Sequence, residues 1–564
     1  MISMNQAAIK SKLKYRAEIK DLVHWFVCHF RAKPKLRKQF RANNVNAYGP
    51  RNPKPKRILV TMVETSHYQF LHVLGIAKAL QLRGHDIKVL LCDESLPGCE
   101  LKSVTNESKK DVCWMCRFNR KELVPIFGLE SITYSDIFSG PELDQLKKDA
   151  KTFASSSVGE SLDNLSGLAQ CIKDSVVRYF YGDVPKDLEV VGRVTLAHTQ
   201  TALINHSASK RIDDLWRPDI VFANMTAYST WYPIFLHYQD RMRTISMSDF
   251  NFFGMTFNFH EYFQSNSRYL EFKNSRSERY LTELERERIE GFFNDRVEGK
   301  DRLFLRDDCF SDDPERADLA AVLRIDPTKR KLFLFSNLYW DIGLSEPGAL
   351  YSGVVDWVLD TIRLLKDNTD IQLFIKTHPA ELYGPAQSRK GMPEIIRESF
   401  TEEELANVFI IGPELKLKPY ALFAFIDCAI LFQGTLGFEL LYSDVPVVSC
   451  SRGVYSDLDF VHEPKTREEY RAMLESAGQK HFNRDEFYLL AYFYFIKAVI
   501  PWRISKTVYA SSIANSFNIS NLEALSQGKD RYLDHLCDCI VSPESTVPES
   551  WVETGVTNLL AAEV

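Results

Sequence analysis

The chain has 564 residues, of which 45% are hydrophobic and 26% charged, a composition typical of a soluble globular protein with more than one domain. The formal net charge of −5 hides an asymmetry, because residues 1–57 carry 15 Lys and Arg side chains against two acidic ones, a local charge of +13. The remainder is acidic and shows no nucleic-acid recognition motif, so we expect no nucleic-acid partner.

The basic segment 1–57 contains one apolar run, LVHWFVC at 22–28, which is much shorter than the roughly 20 residues of a membrane-spanning helix. Two interpretations stay open: an amphipathic stretch held against an anionic membrane surface, or a basic arm in solvent. The first ten residues lack a signal-peptide core, and 11 scattered cysteines favour reduced thiols over a disulfide framework. We therefore predict a cytoplasmic protein, peripheral to the inner face of the membrane.

Residues 58–265 are predicted to form a first Rossmann-like domain. Strand-like ILVTMV, helical HVLGIAKALQLRG and strand-like DIKVLLC follow one another with short connections, which predicts a parallel strand–helix–strand unit. The pattern returns with PDIVFAN, a helical STWYPIFLHYQDR and RTISMS. A less regular polar insert is expected at about 100–210.

A second Rossmann-like domain is predicted over 331–480, after a charge-dense helical connector at 266–330. Its five strand candidates are KLFLFSN, IQLFIK, VFIIGPE, CAILFQ and VPVVSC. The predicted fold class is therefore α/β, with two tandem doubly wound domains. Residues 481–564 include the aromatic run FYLLAYFYF and are expected to form helices that pack across both domains.

Polar groups follow the strands of the second domain and suit a ligand site at the carboxyl edge of its sheet. These candidates are Asn337, Asp341, Lys376, His378, Pro379, Gln433, Gly434, Thr435 and Tyr455. Because Pro379 disfavours helical backbone before it, His378 is predicted to be extended, where its imidazole either contacts a nucleotide or is structural. Thr435 is the predicted N-cap of a helix after a turn at Gly434, which either binds a phosphate or is a plain strand-to-helix turn.

Four cysteines of the first domain, Cys92, Cys99, Cys113 and Cys116, have the spacing C-x6-C-x13-C-x2-C. This spacing is compatible with a structural zinc bound by four thiolates, with reduced thiols, and less readily with an iron–sulfur cluster. In the loop after the first strand, His67 is either an acceptor-side group or a bystander beside Ser66, which would cap the next helix. No P-loop, zincin or α/β-hydrolase motif is present.

The ordered motifs NLYWD, IKTHPAE, VFIIGPE and FQGTLGFELLYSDVPVVSCSRGVYSDLDFVHEPKTREEYRAML resemble bacterial capsule polysaccharide biosynthesis proteins over about 331–475. That family is related to the GT-B glycosyltransferases that transfer Kdo or sialic acid from CMP-sugars, and over 58–265 the similarity is only topological. The resemblance implies nucleotide contacts for His378, Pro379 and Thr435. Its other matching motif positions are Asn337, Asp341, Glu381, Glu439 and Tyr455.

The resemblance thus implies a glycosyltransferase of surface polysaccharide synthesis that uses a nucleotide-sugar, with a CMP-linked donor favoured. The second domain would bind the donor and the first a glycan or lipid-linked acceptor, with His67, Glu381 and Glu439 as catalytic candidates. No cofactor is expected for the chemistry, and zinc would be structural. The alternatives are a polyol-phosphate transferase or a sugar-nucleotide epimerase on the same fold, and a non-catalytic component of capsule assembly or export.

Overall fold

The computed structural model describes residues 30, 33–40, 54–65, 69–107, 111–156, 166–223, 225–238, 243–250, 254–259, 266–297, 316–341, 349–382, 387–415, 417–498, 500–501 and 522–542. The chain divides into two compact units. The first comprises Met1–Tyr179, Pro185–His260 and Val499–Val547, and the second comprises Phe180–Val184, Glu261–Ala498 and Pro548–Val564. Within the described residues, no helix combines the length and the apolar character needed to cross a bilayer.

The first unit is built on a seven-stranded sheet. Its strands are β1 Arg57–Met62, β2 Asp86–Leu91, β3 Glu130–Thr133, β4 Ile220–Ala223, β5 Arg243–Phe250, β6 Gly254–Phe259 and β12 Ile500–Pro501. They lie in the order β3-β2-β1-β4-β5-β6-β12, with β1 to β5 parallel, β6 antiparallel to β5 and β12 antiparallel to β6. The order 3-2-1-4-5 is that of a Rossmann-like sheet, as predicted.

The predicted insert at 100–210 is more regular than its sequence indicates, because it contributes strand β3 and several helices. The helices of the first unit are α1 Lys33–Phe40, α2 Gln69–Leu82, α3 Trp114–Phe118, α4 Tyr134–Ile137, α5 Gly140–Ser156, α6 Ser166–Tyr179, α7 Leu188–Trp216, α8 Tyr228–Tyr238 and α17 Arg531–Val541. The 29-residue α7 packs against α5, α6 and α8. Its buried face includes His198, Asn205 and Ser209, and such polar positions weaken the hydrophobic periodicity by which a sequence reveals a helix.

Part of the basic segment packs on the first unit. Leu36 of α1 is buried, Lys33 forms an ion pair with Glu122, and a guanidinium nitrogen of Arg37 lies 3.9 Å from the same carboxylate. Arg37 and Lys38 nevertheless remain exposed. This helix is therefore anchored to the body of the protein and keeps cations at the surface.

The second unit is built on a five-stranded sheet whose strands are all parallel. They are β7 Arg330–Phe335, β8 Ile371–Lys376, β9 Val408–Ile411, β10 Cys428–Leu431 and β11 Val447–Ser449, in the order β9-β8-β7-β10-β11. The five predicted strands and the tandem doubly wound architecture are thereby confirmed. The helices are α9 Ser267–Ser275, α10 Glu283–Val297, α11 Arg316–Val322, α12 Val354–Leu365, α13 Met392–Ser399, α14 Leu436–Tyr442, α15 Arg467–Ser476 and α16 Arg484–Tyr492.

The second unit extends beyond the predicted 331–480. Helices α9 to α11, expected as a connector, belong to it, and Phe293 of α10 stacks on Tyr442 at a ring-centroid distance of 4.6 Å. The C-terminal tail is divided, with α16 in the second unit and both β12 and α17 in the first. The predicted connector therefore belongs to the second unit because its aromatic side chains pack there. Such packing leaves no hydrophobic periodicity in a charge-dense sequence, so the sequence does not reveal it.

Candidate functional site

The switch point of the second sheet brings four of the predicted residues together. In the sheet, β8 and β9 lie on one side of β7, and β10 and β11 lie on its other side, so the strand order reverses at β7. Ligands of open α/β sheets bind at such a reversal. Nδ2 of Asn337, just after β7, donates to the carbonyl of Gln433, just after β10, over 3.1 Å. The next residue, Gly434, has a φ of +129°, and its carbonyl accepts from the Tyr455 hydroxyl at 2.9 Å.

Three buried polar atoms at this edge have no hydrogen-bond partner among the described residues. They are Ser336 Oγ and Asn337 Oδ1 after β7, and Glu381 Oε1 after β8. The great majority of buried polar atoms are hydrogen-bonded, and an unsatisfied one costs about 1–3 kcal/mol. Their concentration at the switch point provides acceptors for the hydroxyl or amino groups of a ligand.

The His-Pro pair has the geometry expected from the sequence. His378 has extended backbone, with φ −71° and ψ 130°, and Pro379 starts the short 3-10 turn Pro379–Glu381. Nδ1 of His378 accepts from the Ala380 amide at 3.1 Å. Burial, aided by the Lys376 charge, lowers the pKa of His378 to about 4. The imidazole is therefore neutral at physiological pH with its proton on Nε2, where it can act as a donor.

Lys376 and Glu381 are two buried ionisable residues near this histidine. Lys376 is 4% exposed, its Nζ donates to the Thr377 carbonyl at 3.2 Å, and burial lowers its pKa to about 8. Burial raises the pKa of Glu381 to about 7, although the Met392 amide, which donates to Oε2 at 2.9 Å, lowers it. Glu381 thus caps α13 and titrates close to neutral pH.

The remaining predicted nucleotide-site residues differ in their access to a ligand. Thr435 precedes α14, and its hydroxyl makes no capping hydrogen bond. Tyr455 is fully buried, and a Cβ on Gly437 would lie 2.7 Å from its ring, so Tyr455 supports the turn from within. Asp341 is exposed at the end of the loop after β7.

Glu439 lies in surroundings that do not suit the catalytic role predicted for it. Its side chain is fully buried and forms an ion pair with Arg296 of α10, which is itself 5% exposed. The Arg296 guanidinium lies 5.4 Å from the ring centroid of Phe292 and 5.8 Å from that of Phe495. A carboxylate enclosed in this way has no exposed face for a sugar and acts as a structural group beneath the turn.

The first sheet has its own switch point, between β1 and β4, and its polar residues were not predicted. Glu100, in the loop after β2, accepts from the Ser175 hydroxyl of α6 at 3.4 Å. Burial raises the pKa of Glu100 to about 7; the Thr230 hydroxyl of α8 lowers it and the Glu64 charge after β1 raises it. A carboxyl group that titrates near neutral pH therefore lies at this edge.

A chain of hydroxyl groups leads from Glu100 to a buried histidine. Oγ of Ser175 also lies 3.2 Å from Oγ of Ser229, whose hydroxyl can donate to it, and Oγ of Ser229 lies 2.8 Å from Nδ1 of His198. Burial lowers the pKa of His198 to about 3, so its imidazole is neutral. These residues come from separate elements, and only the polar positions in otherwise buried helices signal them in the sequence. The predicted His67 lies outside the described residues.

The four cysteines do not form the predicted zinc site. Within the described ranges, which include all four, no group of three or more His, Cys, Asp or Glu side chains is arranged to hold a metal ion. Burial raises the pKa of Cys116 to about 12, and it also raises those of Cys92, Cys99 and Cys113. The structural-zinc interpretation therefore has no support in the arrangement of these side chains.

No protein-family model matches the chain, and no curated protein is significantly similar to it. Solved structures similar to it include the beta Kdo 2,4 transferase KpsC of Thermosulfurimonas dismutans, with 14% identity, a TM-score of 0.32 and coverage of 49% of this chain and 79% of that one. A glycosyltransferase from Rickettsia africae has 10% identity, a TM-score of 0.24 and coverage of 87% and 100%. MurG of Acinetobacter baumannii has 11% identity, a TM-score of 0.25 and coverage of 86% and 99%. At TM-scores this low, the architecture rests on the strand order of the two sheets.

Proposed function

We propose that the chain is a glycosyltransferase of surface polysaccharide synthesis, which moves a sugar from a nucleotide-sugar, with a CMP-linked donor favoured, to a glycan or lipid-linked acceptor. The observation that carries this proposal is Asn337, whose Nδ2 is fixed to the Gln433 carbonyl while its buried Oδ1 has no partner among the described residues. An amide held at a switch point with a vacant acceptor suits the hydroxyl and amino groups of a nucleotide.

The donor phosphate would be bound by groups from two strand ends. The neutral His378 donates through Nε2–H, and the Thr435 hydroxyl, which caps no helix, adds a second donor. Lys376, with a pKa of about 8, is mostly protonated at neutral pH and supplies positive charge beneath the edge. Such prearranged donors and charge stabilise the negative charge that develops on the leaving phosphate.

Within the first unit, Glu100 is the carboxyl group suited to take a proton from an acceptor hydroxyl. In sugar transfer the acceptor oxygen bonds to the anomeric carbon, the bond from that carbon to the phosphate oxygen breaks, and the electron pair leaves with the nucleotide. A general base works best when its pKa is near the working pH, which the value of about 7 for Glu100 satisfies. The exposed cations of α1 would hold the enzyme near an anionic membrane that carries a lipid-linked acceptor.

Nucleotide binding to the purified full chain tests this proposal. We expect CMP or CDP to raise the thermal unfolding temperature more than UDP or GDP, and His378→Ala to abolish the increase. His481→Ala is the matched control, because His481 is an exposed histidine of the same unit in a 270 Å³ cavity at the amino end of β11. Failure of all four nucleotides to stabilise the wild-type chain would favour a non-catalytic assembly component.

A further inference from the structure

A tight turn lies against the loop that follows β7. It is formed by Phe180–Val184, a segment of the second unit whose neighbours in the chain, α6 and α7, belong to the first. The Asp183 amide donates to the Phe180 carbonyl at 3.3 Å. Tyr181 and Gly182 both have positive φ, +48° and +85°, which is uncommon for a bulky residue such as tyrosine. A strained conformation of this kind persists only where surrounding contacts fix it.

The contacts that fix the turn are made with two aromatic residues of the NLYWD motif. Gly182 approaches Tyr339 so closely that an added Cβ would lie 2.0 Å from a ring carbon. Tyr181 meets Trp340 edge to face, with ring centroids 5.2 Å apart and planes at 86°. Trp340 is only 3% exposed, so the turn belongs to the packed surroundings of this loop.

The same two aromatic residues connect the loop after β7 to the loop after β8. The Tyr339 hydroxyl donates to the Lys390 carbonyl at 2.7 Å, and Nε1 of Trp340 donates to Ser388 Oγ at 2.8 Å. The Ser388 amide in turn donates to the Glu381 carbonyl at 3.1 Å. The turn therefore packs against these three hydrogen bonds, made by Tyr339, Trp340 and Ser388, which we call the frame. The frame joins the two strand ends of the candidate nucleotide site.

Asn337 is placed directly by this frame, because only Leu338 separates it from Tyr339. Relief of a 2.0 Å contact requires the Tyr339 ring to move by about 1.4–2 Å before ordinary van der Waals contact is restored. A displacement of that size at a residue two positions away alters the 3.1 Å hydrogen bond from Asn337 to Gln433. Misplacement of a binding group by about 1 Å is enough to lose much of its contribution.

We propose that the Phe180–Asp183 turn is a positioning element for the nucleotide site. It sets donor affinity by fixing the positions of Tyr339 and Trp340, and through them the position of Asn337. The inference rests on the proposed function, since it assigns the turn to the nucleotide site. It adds residues from the junction of α6 and α7 to a site otherwise built from the second sheet.

The test compares two glycine substitutions in the full chain, with CMP and CDP as probes in calorimetric titrations. Gly182→Ala is expected to weaken binding roughly ten- to a hundred-fold, the scale of a 1 Å misplacement. Gly528→Ala is the matched control, because Gly528 also has positive φ, +81°, while a Cβ there meets nothing within 4 Å, and this variant should bind like the wild type. Hydrogen exchange of peptides covering 336–341 should accelerate in the first variant only.

The outcomes separate this inference from the function it rests on. If the wild type binds neither CMP nor CDP, the proposed function fails. If the wild type binds and Gly182→Ala binds equally well with unchanged exchange at 336–341, the positioning role is overturned. Should Gly182→Ala not fold, Tyr181→Ala, which removes the ring that packs on Trp340, takes its place, and unchanged affinity in that variant overturns the proposal.

Discussion

Asn337 and Gln433 join the ends of β7 and β10 through one hydrogen bond of 3.1 Å, across the point at which the second sheet changes its winding direction. The two residues are far apart in the chain and meet only because β7 and β10 are neighbours in the sheet. The bond leaves Oδ1 of the asparagine buried and without a partner among the described residues.

Asn337→Asp is expected to weaken nucleotide binding at least ten-fold at pH 7. A carboxylate has the same shape but no N–H, so it places negative charge against the Gln433 carbonyl and against an incoming phosphate. The loss of the hydrogen bond to the Gln433 carbonyl should also lower the free energy of unfolding by about 0.5–1.5 kcal/mol. Titration calorimetry and urea unfolding measure the two effects, and wild-type affinity would remove Asn337 from the site.

Glu381→Gln is expected to change the pH dependence of stability. Burial raises the folded-state pKa of Glu381 from 4.5 to about 7, so the folded protein binds this proton more tightly than the unfolded chain does. The resulting stabilisation is complete below about pH 4.5 and is lost as the pH rises through about 7, on the order of 3 kcal/mol in all. Glutamine stays neutral and still accepts from the Met392 amide.

Urea unfolding at pH 5 and pH 8 measures this difference. The free energy of unfolding of the wild type should fall, relative to Glu381→Gln, by most of that amount between the two values. Glu475→Gln is the control, because Glu475 is an exposed carboxylate on α15 of the same unit. Parallel pH profiles for the wild type and Glu381→Gln would show that Glu381 is ionised in the folded protein across this range.

The sequence predicts the second unit well because each strand is an apolar run with a polar end. The carboxyl ends of parallel strands meet at one edge of a sheet, so the sequence alone predicts that Asn337 and Gln433 lie near each other. The carboxyl at Glu100 could not be found in this way, since its neighbours Ser175 and Thr230 come from separate helices. Gly182 is equally hidden, because a glycine after an aromatic run gives no sign that a tyrosine ring from a distant part of the chain lies against it.

The exposed cations of α1 are expected to contribute to binding of anionic membranes. Changing both Arg37 and Lys38 to Gln should weaken binding to phosphatidylserine-containing vesicles by roughly five-fold for each residue, the scale of the attraction of one basic side chain. Leu36 and Lys33, which anchor the helix, are left intact. Vesicle co-sedimentation at low salt measures the change.

The control for this experiment is a second pair of exposed lysines on the first unit, Lys148 and Lys151 of α5. Their replacement by Gln removes the same charge and should leave vesicle binding within two-fold of the wild type. Equal losses in the two double variants would mean that net charge, and no particular surface, attracts the protein to the vesicles.

Glu439→Ala is expected to destabilise the second unit strongly, because it leaves the Arg296 guanidinium charged, buried and without its carboxylate. Breaking one side of a buried ion pair costs about 3–5 kcal/mol, whereas replacing both partners by apolar residues of similar size is often nearly neutral. The double variant Glu439→Leu with Arg296→Met should therefore be more stable than Glu439→Ala. Urea unfolding of the three proteins gives the comparison. A Glu439→Ala protein with wild-type stability, normal nucleotide binding and no sugar transfer would instead restore the catalytic role, because a structural ion pair cannot be removed without a loss of stability.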